Sequence, residues 1–212
     1  MQLIGMLDSP YVRRVAISLQ LLKLPFEHRS ISVFRQFDQF AQINPVVKAP
    51  SLVCDDGAVL MDSTLILEYA EYLAATGRSL MPTRLADRQH ALRTIGLALA
   101  ACEKSVQIVY EHNVRPPEKQ HAPWLERITG QLRTAYGALE AELRARPPAA
   151  TSGTIDQAGV TAAVVWRFTQ AVHPELVAVA EHPALNEFSA RAEALSEFMA
   201  APHSDATYRG GG

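Results

Sequence analysis

The sequence lacks several features that mark whole classes of protein. It has only two cysteines among 212 residues, Cys54 and Cys102, too few for a disulfide framework. They form no Cys-x-x-Cys pair and neither precedes the first predicted helix, which disfavours disulfide-exchange chemistry. Both lie in apolar runs, where buried thiols are expected. No apolar run is long enough to cross a bilayer and no signal-peptide pattern opens the sequence, so we expect a protein of the reducing cytoplasm without membrane contact.

The sequence also has no excess of charge of one sign. The chain has 20 basic and 22 acidic residues, for a net charge of −2, and the two signs are interspersed. Nucleic acid is therefore not an expected partner. The seven histidines are spread out and no pair has metal-ligand spacing, so we predict no metal site and expect them at the surface or at helix ends. What the chain does have is 48% hydrophobic residues, enough for a sizeable core.

The first third of the chain predicts a small mixed α/β unit. Leu3 to Leu7 is apolar enough for a buried strand, and after Pro10 apolar residues recur at helical spacing, with Arg13 and Arg14 on the wetter side. Together with the next strand this makes a parallel βαβ unit. Asp55-Asp56-Gly57 is typical of a hairpin turn. The predicted elements are a strand at 3–7, a helix from 10 to 23, a strand at 26–31, a weak helix or irregular segment at 34–43, strands at 51–54 and 59–62, and a helix from 63 that ends near Gly77.

Helical periodicity dominates the rest of the chain, and proline-containing breaks divide it. Asp156 can cap a helix, but Gly159 stands where the acidic partner of a capping box is expected. The helices are predicted at 85–113, 122–146, 156–172 and 184–200, with a short turn at 175–180. The predicted domains are residues 1–77, a linker at 78–84, a helical domain at 85–202 and a mobile tail at 203–212.

Ser9 lies between the first strand and the first helix, in Ser9-Pro10-Tyr11-Val12-Arg13-Arg14. One interpretation is a helix cap with proline at the first helical position. The other is chemical, because a helix N-terminus and a hydroxyl donor together can hold a thiolate. The local sequence alone favours capping.

Asp62 and Ser63 begin the third predicted helix and also have two interpretations. Most such pairs are plain N-caps. A serine hydroxyl and free helix N–H groups also suit a carboxylate, and an aspartate can pair with an amino group. Capping and binding are compatible, and because the chain also carries the motifs at residues 9–14 and 44–52, we expect both.

Three motifs in this order give the chain a resemblance to a known family. They are residues 9–14, the run Asn44-Pro45-Val46-Val47-Lys48-Ala49-Pro50-Ser51-Leu52, and Asp62-Ser63 at a helix start. The chain resembles the soluble glutathione transferases, specifically their serine-type bacterial members. The resemblance implies an α/β thioredoxin-like N-terminal domain of order β-α-β-α-β-β-α, an all-α C-terminal domain, and glutathione as co-substrate without a metal.

The resemblance also implies roles for individual residues. Ser9 would be catalytic and donate a hydrogen bond to the glutathione thiolate. Pro50 would be cis, so that the main chain of Ala49 binds the cysteinyl part of glutathione. Asp62 and Ser63 would take the amino and carboxylate groups of the γ-glutamyl end. Lys48, or less favourably Arg35, could reach the glycyl carboxylate, and either could equally be a solvated surface cation.

The expected function is conjugation of glutathione to small electrophiles, as in detoxification, by a cytoplasmic homodimer. The candidates for the electrophile pocket, most of which could equally belong to a core, are Leu7, Tyr11, Phe34, Tyr110 and Trp166.

Two alternatives stay open. The same fold could serve as a catalytically weak glutathione-binding or protein-interaction module, although three intact motifs argue against a pure scaffold. Isomerisation as in zeta-like relatives ranks low, because Asp8-Ser9-Pro10 lacks the Ser-Ser-Cys run typical of those proteins.

Overall fold

The computed structural model describes residues 1–75 and 77–208. The chain forms two compact units. The first contains residues 1–81, 151–154 and the segment from Glu193 onward, and the second contains residues 82–150 and 155–192. This division differs from the predicted domains, because residues 193–202 lie with the first unit.

The elements follow the predicted order. The strands are β1 (Gln2–Ile4), β2 (Glu27–Arg29), β3 (Ser51–Val53) and β4 (Val59–Met61). The helices are α1 (Pro10–Leu21), α2 (Phe37–Ile43), α3 (Ser63–Leu73), α4 (Leu85–Val114), α5 (Ala122–Ala145), α6 (Gln157–Val172), α7 (Pro183–Glu193) and α8 (Ser196–Ala200), with 3-10 turns at Pro117–Lys119 and Val179–Glu181. The predicted helix at 184–200 is therefore two helices.

The sheet of the first unit has the order β2-β1-β3-β4. β1 runs parallel to β2 and antiparallel to β3, and β3 pairs antiparallel with β4. These pairings confirm the predicted βαβ unit and hairpin. Each strand is shorter than predicted; in β1 the ladder ends before Gly5, which has a φ of +132°.

The apolar residues of α1 are buried as predicted, but the prediction that its two arginines are exposed is wrong. Arg13 and Arg14 are each 1% exposed, although the periodicity places them on the wetter side. Arg13 is buried because Glu193 pairs with both of its terminal nitrogens at 2.6 and 2.7 Å, and its Nε donates to the carbonyl of Ala201 at 2.7 Å. These contacts hold the C-terminal segment to α1.

The predicted mobile tail is also different in the structure. The Ser30 hydroxyl donates to the carbonyl of Asp205 at 3.0 Å, and the ring of Tyr208 stacks on Phe26. Residues 205–208 thus make defined contacts with the first unit. Residues 209–212 of the predicted tail lie outside the described residues.

The second unit is helical, and α6 is buried along most of its length. Tyr136 on α5 is fully buried, donates to Thr169 at 2.6 Å and packs edge-on against Trp166. Asp156 caps α6 as predicted, accepting from the Gly159 amide at 2.8 Å. A Cβ at Gly159 would lie 3.1 Å from the Phe188 ring, so close packing explains why no acidic residue stands there.

Three of the seven histidines are buried. His173 and His182 lie at helix ends as predicted, but His28 lies on β2, neither at the surface nor at a helix end, which corrects the expectation for that residue. Each places a ring nitrogen on a backbone carbonyl: His28 on Gly5, His173 on Ser105, and His182 on Ala178. Burial lowers the pKa of both His28 and His173. Among the described helices, none is long and apolar enough to cross a membrane.

Candidate functional site

Ser9 forms the N-terminus of α1 through a long hydrogen bond. The Val12 amide donates to its Oγ at 3.4 Å, and the Ser9 amide donates to the carbonyl of Met6 at 3.1 Å. A bond of that length is weak. The half-buried hydroxyl is therefore only lightly engaged as a cap, and its own proton can be donated to an anion at the helix end.

Gly5 is the point where the Ser9 turn approaches the second motif. A Cβ at Gly5 would lie 2.6 Å from Cγ2 of Val12 and 3.1 Å from Cβ of Ala49. With its φ of +132°, only glycine fits here without strain. The first turn of α1 and the loop before β3 can approach each other this closely because position 5 has no side chain.

The loop before β3 is organised by Asn44. Its side chain accepts from the Val46 amide at 3.0 Å and donates to the Ser51 hydroxyl at 2.8 Å. The Ser51 hydroxyl in turn donates to the carbonyl of Lys48 at 2.8 Å. Val47 has a φ of +53°, rare for a β-branched residue, and packs against the cluster of Ile4, Ile31 and Phe40. Hydrogen bonds at Asn44 and Ser51 therefore fix the two ends of the loop, and the packing of Val47 fixes its middle.

The Ala49–Pro50 peptide bond is cis, which confirms the prediction. Ala49 is half-buried, and its main-chain amide and carbonyl form no hydrogen bond with another described residue. These two groups are placed to pair with the main chain of an extended peptide.

The α3 N-terminus is more tightly built than that of α1. Asp62 has a φ of +71° and accepts from the Thr64 amide at 2.9 Å. Such backbone costs roughly 1–3 kcal/mol and clusters at functional sites. Ser63 is 3% exposed, and the buried Arg14 donates to its Oγ at 3.2 Å. Because arginine only donates, the Ser63 oxygen accepts this bond and its own proton can go to a ligand.

The two cations predicted for the glycyl end lie at the surface. Lys48 is exposed, and Arg35 lies 3.7 Å from the Asp205 carboxylate. Asp8, directly before Ser9, has its pKa raised mainly by burial, with the Arg35 charge opposing the rise and the Asp205 charge adding to it.

The five candidates for the electrophile pocket divide by burial. Leu7 and Trp166 are 0% and 2% exposed, so they belong to the cores of the first and second unit, respectively. Phe34 and Tyr110 are exposed, and Tyr11 is half-buried. Three candidates therefore remain accessible. Among the described residues, no cluster of His, Cys, Asp and Glu could hold a metal ion.

Gly5, Arg14 and His28 contact residues of the site or its supports but were not among the predicted site residues. A glycine inside an apolar run indicates a close backbone approach, and this would have identified Gly5. Arg14 and His28 have no such pattern, because their partners are 49 and 180 residues away.

Comparison with known proteins agrees with this arrangement. Residues 3–78 match the family model described as glutathione S-transferase, N-terminal domain. The chain is 28% identical over 143 residues to the uncharacterized GST-like protein YibF of Escherichia coli K12, covering 68% of this chain and 70% of that protein.

Two solved structures resemble the chain over most of its length. A glutathione transferase family member from Pseudomonas fluorescens Pf-5 with bound glutathione is 29% identical, has a TM-score of 0.80, and the match covers 94% of this chain and 97% of that one. A glutathione S-transferase from Methylobacterium radiotolerans in complex with glutathione sulfonate is 26% identical, with a TM-score of 0.82 and coverage of 93% and 92%. Residues 3–78 are thus similar to the N-terminal domain of glutathione S-transferases, and the chain has the fold of these two solved structures.

Proposed function

We propose that this chain is a serine-type glutathione transferase that conjugates glutathione to small electrophiles. The observation that carries the proposal is the lightly engaged Ser9 hydroxyl at the start of α1, 3.4 Å from the nearest amide donor. It lies in the same compact unit as the Ala49–Pro50 loop and the Asp62–Ser63 helix end. One polar group at each of these places matches one part of glutathione.

Ser9 activates the thiol by stabilising its anion. A serine hydroxyl is too weak a base to remove the thiol proton, so it donates a hydrogen bond to the thiolate after the proton has left to solvent. Lowering a thiol pKa of about 8.5 by two units requires roughly 2.7 kcal/mol. One charge-assisted hydrogen bond and a helix N-terminus together supply about that much.

The γ-glutamyl end binds at the start of α3. Ser63 and the first amides of the helix receive the carboxylate, and Asp62 receives the ammonium group. Arg14 donates to Ser63 from behind, at 3.2 Å, and orients the hydroxyl toward the ligand. Arg14 also belongs to α1, so it fixes this subsite relative to the helix that Ser9 caps.

The cysteinyl and glycyl parts bind along the neighbouring loop. Ala49 pairs through its amide and carbonyl with the cysteinyl main chain, and Lys48 or Arg35 attracts the glycyl carboxylate. Within the first unit, the accessible Tyr11 and Phe34 are the remaining candidates for the electrophile pocket. We place the reaction in the cytoplasm, where reduced glutathione is available.

We also propose a homodimer. Exposed apolar residues on β4 and α3 of the first unit give a surface that a second copy would cover; they are Val59, Met61, Leu65, Tyr72 and Leu73. Light scattering should give twice the chain mass of 23.2 kDa. A monomer mass that does not change with concentration would contradict the dimer.

The function is tested by measuring glutathione binding by calorimetry and turnover with an activated aryl halide on the same preparation. We expect binding and turnover together. Binding without turnover would favour the alternative of a glutathione-binding or interaction module, and the absence of both would overturn the assignment.

A further inference from the structure

Residues 203–208, here called the C-terminal strap, lie against the edge of the sheet in the first unit. The ring of Tyr208 stacks on Phe26 with centroids 4.7 Å apart and planes 12° from parallel. The Ser30 hydroxyl donates to the Asp205 carbonyl at 3.0 Å. These contacts flank β2, which is an edge strand of the sheet. An edge strand exposes unpaired backbone groups, and covering it protects them.

His28 connects the strap to the interior of the unit. The side chain is 6% exposed on β2. Its Nε2 lies 2.7 Å from the carbonyl of Gly5, and its Nδ1 lies 2.8 Å from the amide nitrogen of Tyr208. A backbone carbonyl only accepts and a backbone amide only donates. The ring satisfies both neighbours in one form alone: neutral, with its proton on Nε2.

We propose that His28 is a proton-sensitive latch that holds the C-terminal strap on the sheet edge when neutral and releases it when protonated. A proton on Nδ1 would face the Tyr208 N–H, so a hydrogen bond would be replaced by two opposed donors. The Gly5 contact survives protonation, because Nε2 donates in both forms. Only the strap side of the ring is therefore sensitive to pH.

The direction of the pH dependence follows from burial, which lowers the pKa of the docked His28. A histidine ring released to water has a pKa of about 6.5. Docking is therefore strongest above that pH, and the docking constant falls by up to about tenfold for each pH unit below it until the docked ring itself is protonated.

The charged groups next to His28 do not reverse this direction. Glu27 and Arg29, its neighbours on β2, both bond to Gln2. Asp205 on the strap lies against Arg35. The Gly5 carbonyl opposes the lowering of the pKa but is weaker than burial.

The latch lies next to the residues that form the candidate site. Gly5, whose carbonyl the ring holds, touches the first turn of α1 and the Ala49 loop. The strap also brings the Asp205 carboxylate to Arg35, and the Asp205 charge contributes to raising the pKa of Asp8. Release of the strap removes a negative charge that acts on Asp8, the residue before Ser9.

Hydrogen–deuterium exchange of the full chain without ligand tests the latch, whatever the outcome for glutathione. Protection factors of the strap amides, corrected for intrinsic exchange, are compared at about pH 8 and about pH 5. We expect a loss of protection at the lower pH in the wild type, of up to about 30-fold, because pH 5 lies about 1.5 units below the pKa of the released ring. Protection of the α1 amides at both pH values shows that the first unit, to which the strap belongs, stays folded.

Two substitutions separate the two sides of the ring. His28→Asn keeps an acceptor near the Nδ1 position and cannot be protonated, so the strap should stay protected at both pH values. His28→Gln keeps a donor near the Nε2 position and loses the acceptor, so the strap should be unprotected at both. Tyr208→Ala removes the ring stack and supplies the reference for a released strap.

The proposal is overturned if wild-type strap protection is the same at both pH values, or if His28→Asn keeps the full wild-type pH dependence. Equal strap protection in His28→Gln and the wild type at about pH 8 would also overturn it.

Discussion

Two of the helix N-termini in the first unit, those of α1 and α3, differ in how tightly they are capped. At α1 the cap is the neutral Ser9, with a hydrogen bond of 3.4 Å and an ordinary extended backbone. At α3 the cap is the charged Asp62, with a bond of 2.9 Å, a φ of +71° and the arginine-supported Ser63 beside it. The Ser9 hydroxyl, which makes only a weak capping bond, is suited to stabilise an anion that reacts. The tightly capped, charged N-terminus of α3 is suited to hold a ligand group in a fixed position.

Arg14 joins the two ends physically. It lies on α1 and donates to Ser63 at 3.2 Å and to Thr64 at 3.4 Å. Its neighbour Arg13 faces the C-terminal segment instead, where it pairs with Glu193. Adjacent arginines on one helix thus serve different purposes, one for the site and one for the packing of the chain end.

The largest effect is expected for Ser9→Ala. It removes the hydrogen bond to the thiolate and leaves the α3 end intact, so turnover should fall about 10- to 100-fold while glutathione affinity changes little. Steady-state kinetics and calorimetry give the two values. Since the cap bond is long, the free energy of unfolding should fall by at most about 1 kcal/mol. Equal losses of turnover and glutathione affinity would contradict the proposal that the α1 end activates the thiol while the α3 end holds the ligand.

A smaller effect is expected for Asp62→Asn, and it should fall on glutathione affinity rather than on activation of the thiol. The amide keeps a cap oxygen but loses the charge that pairs with the ligand ammonium, so glutathione affinity should fall roughly tenfold. The thiol pKa of bound glutathione should stay the same. Asp38→Asn, also in the first turn of a helix, is the matched control and should change neither value.

Arg14→Lys should weaken binding of glutathione several-fold more than binding of cysteinylglycine, which lacks the γ-glutamyl group. Lysine keeps the charge but cannot reproduce the geometry of the guanidinium group. Calorimetry with both ligands makes the comparison. If both affinities fall equally, Arg14 supports only the fold.

Asp8→Asn should have the smallest effect. Because burial raises the pKa of Asp8, its ionised form destabilises the folded state above that pKa. The variant should be more stable than the wild type at about pH 7, by less than about 1 kcal/mol, and the difference should vanish as the pH falls below 3.8, the ordinary pKa of an aspartate. Denaturant unfolding at both pH values checks this, and a constant difference would contradict it.

Local patterns predicted most of the fold. Apolar periodicity, the Asp55-Asp56-Gly57 turn and the proline breaks placed the strands and most of the helices, and the motifs around Ser9, Pro50 and Asp62 follow from short stretches. A periodic pattern describes one element and its neighbours, which is why these features were accessible.

Features that depend on distant partners were not predictable in this way. Arg13 is buried because Glu193, 180 residues away, neutralises it. His28 is buried because Gly5 and Tyr208 satisfy its two nitrogens. In each case a polar side chain is buried because a specific partner satisfies its hydrogen-bonding groups. That partner lies too far away in the sequence for a short stretch of residues to indicate it.

The thiolate absorbance of bound glutathione, titrated with pH in the wild type and in Ser9→Ala, tests the central claim most directly. The account predicts a thiol pKa clearly below about 8.5 in the wild type and a return toward that value in the variant, with glutathione still bound. Identical titrations in the two proteins would contradict it and leave Ser9 as a helix cap.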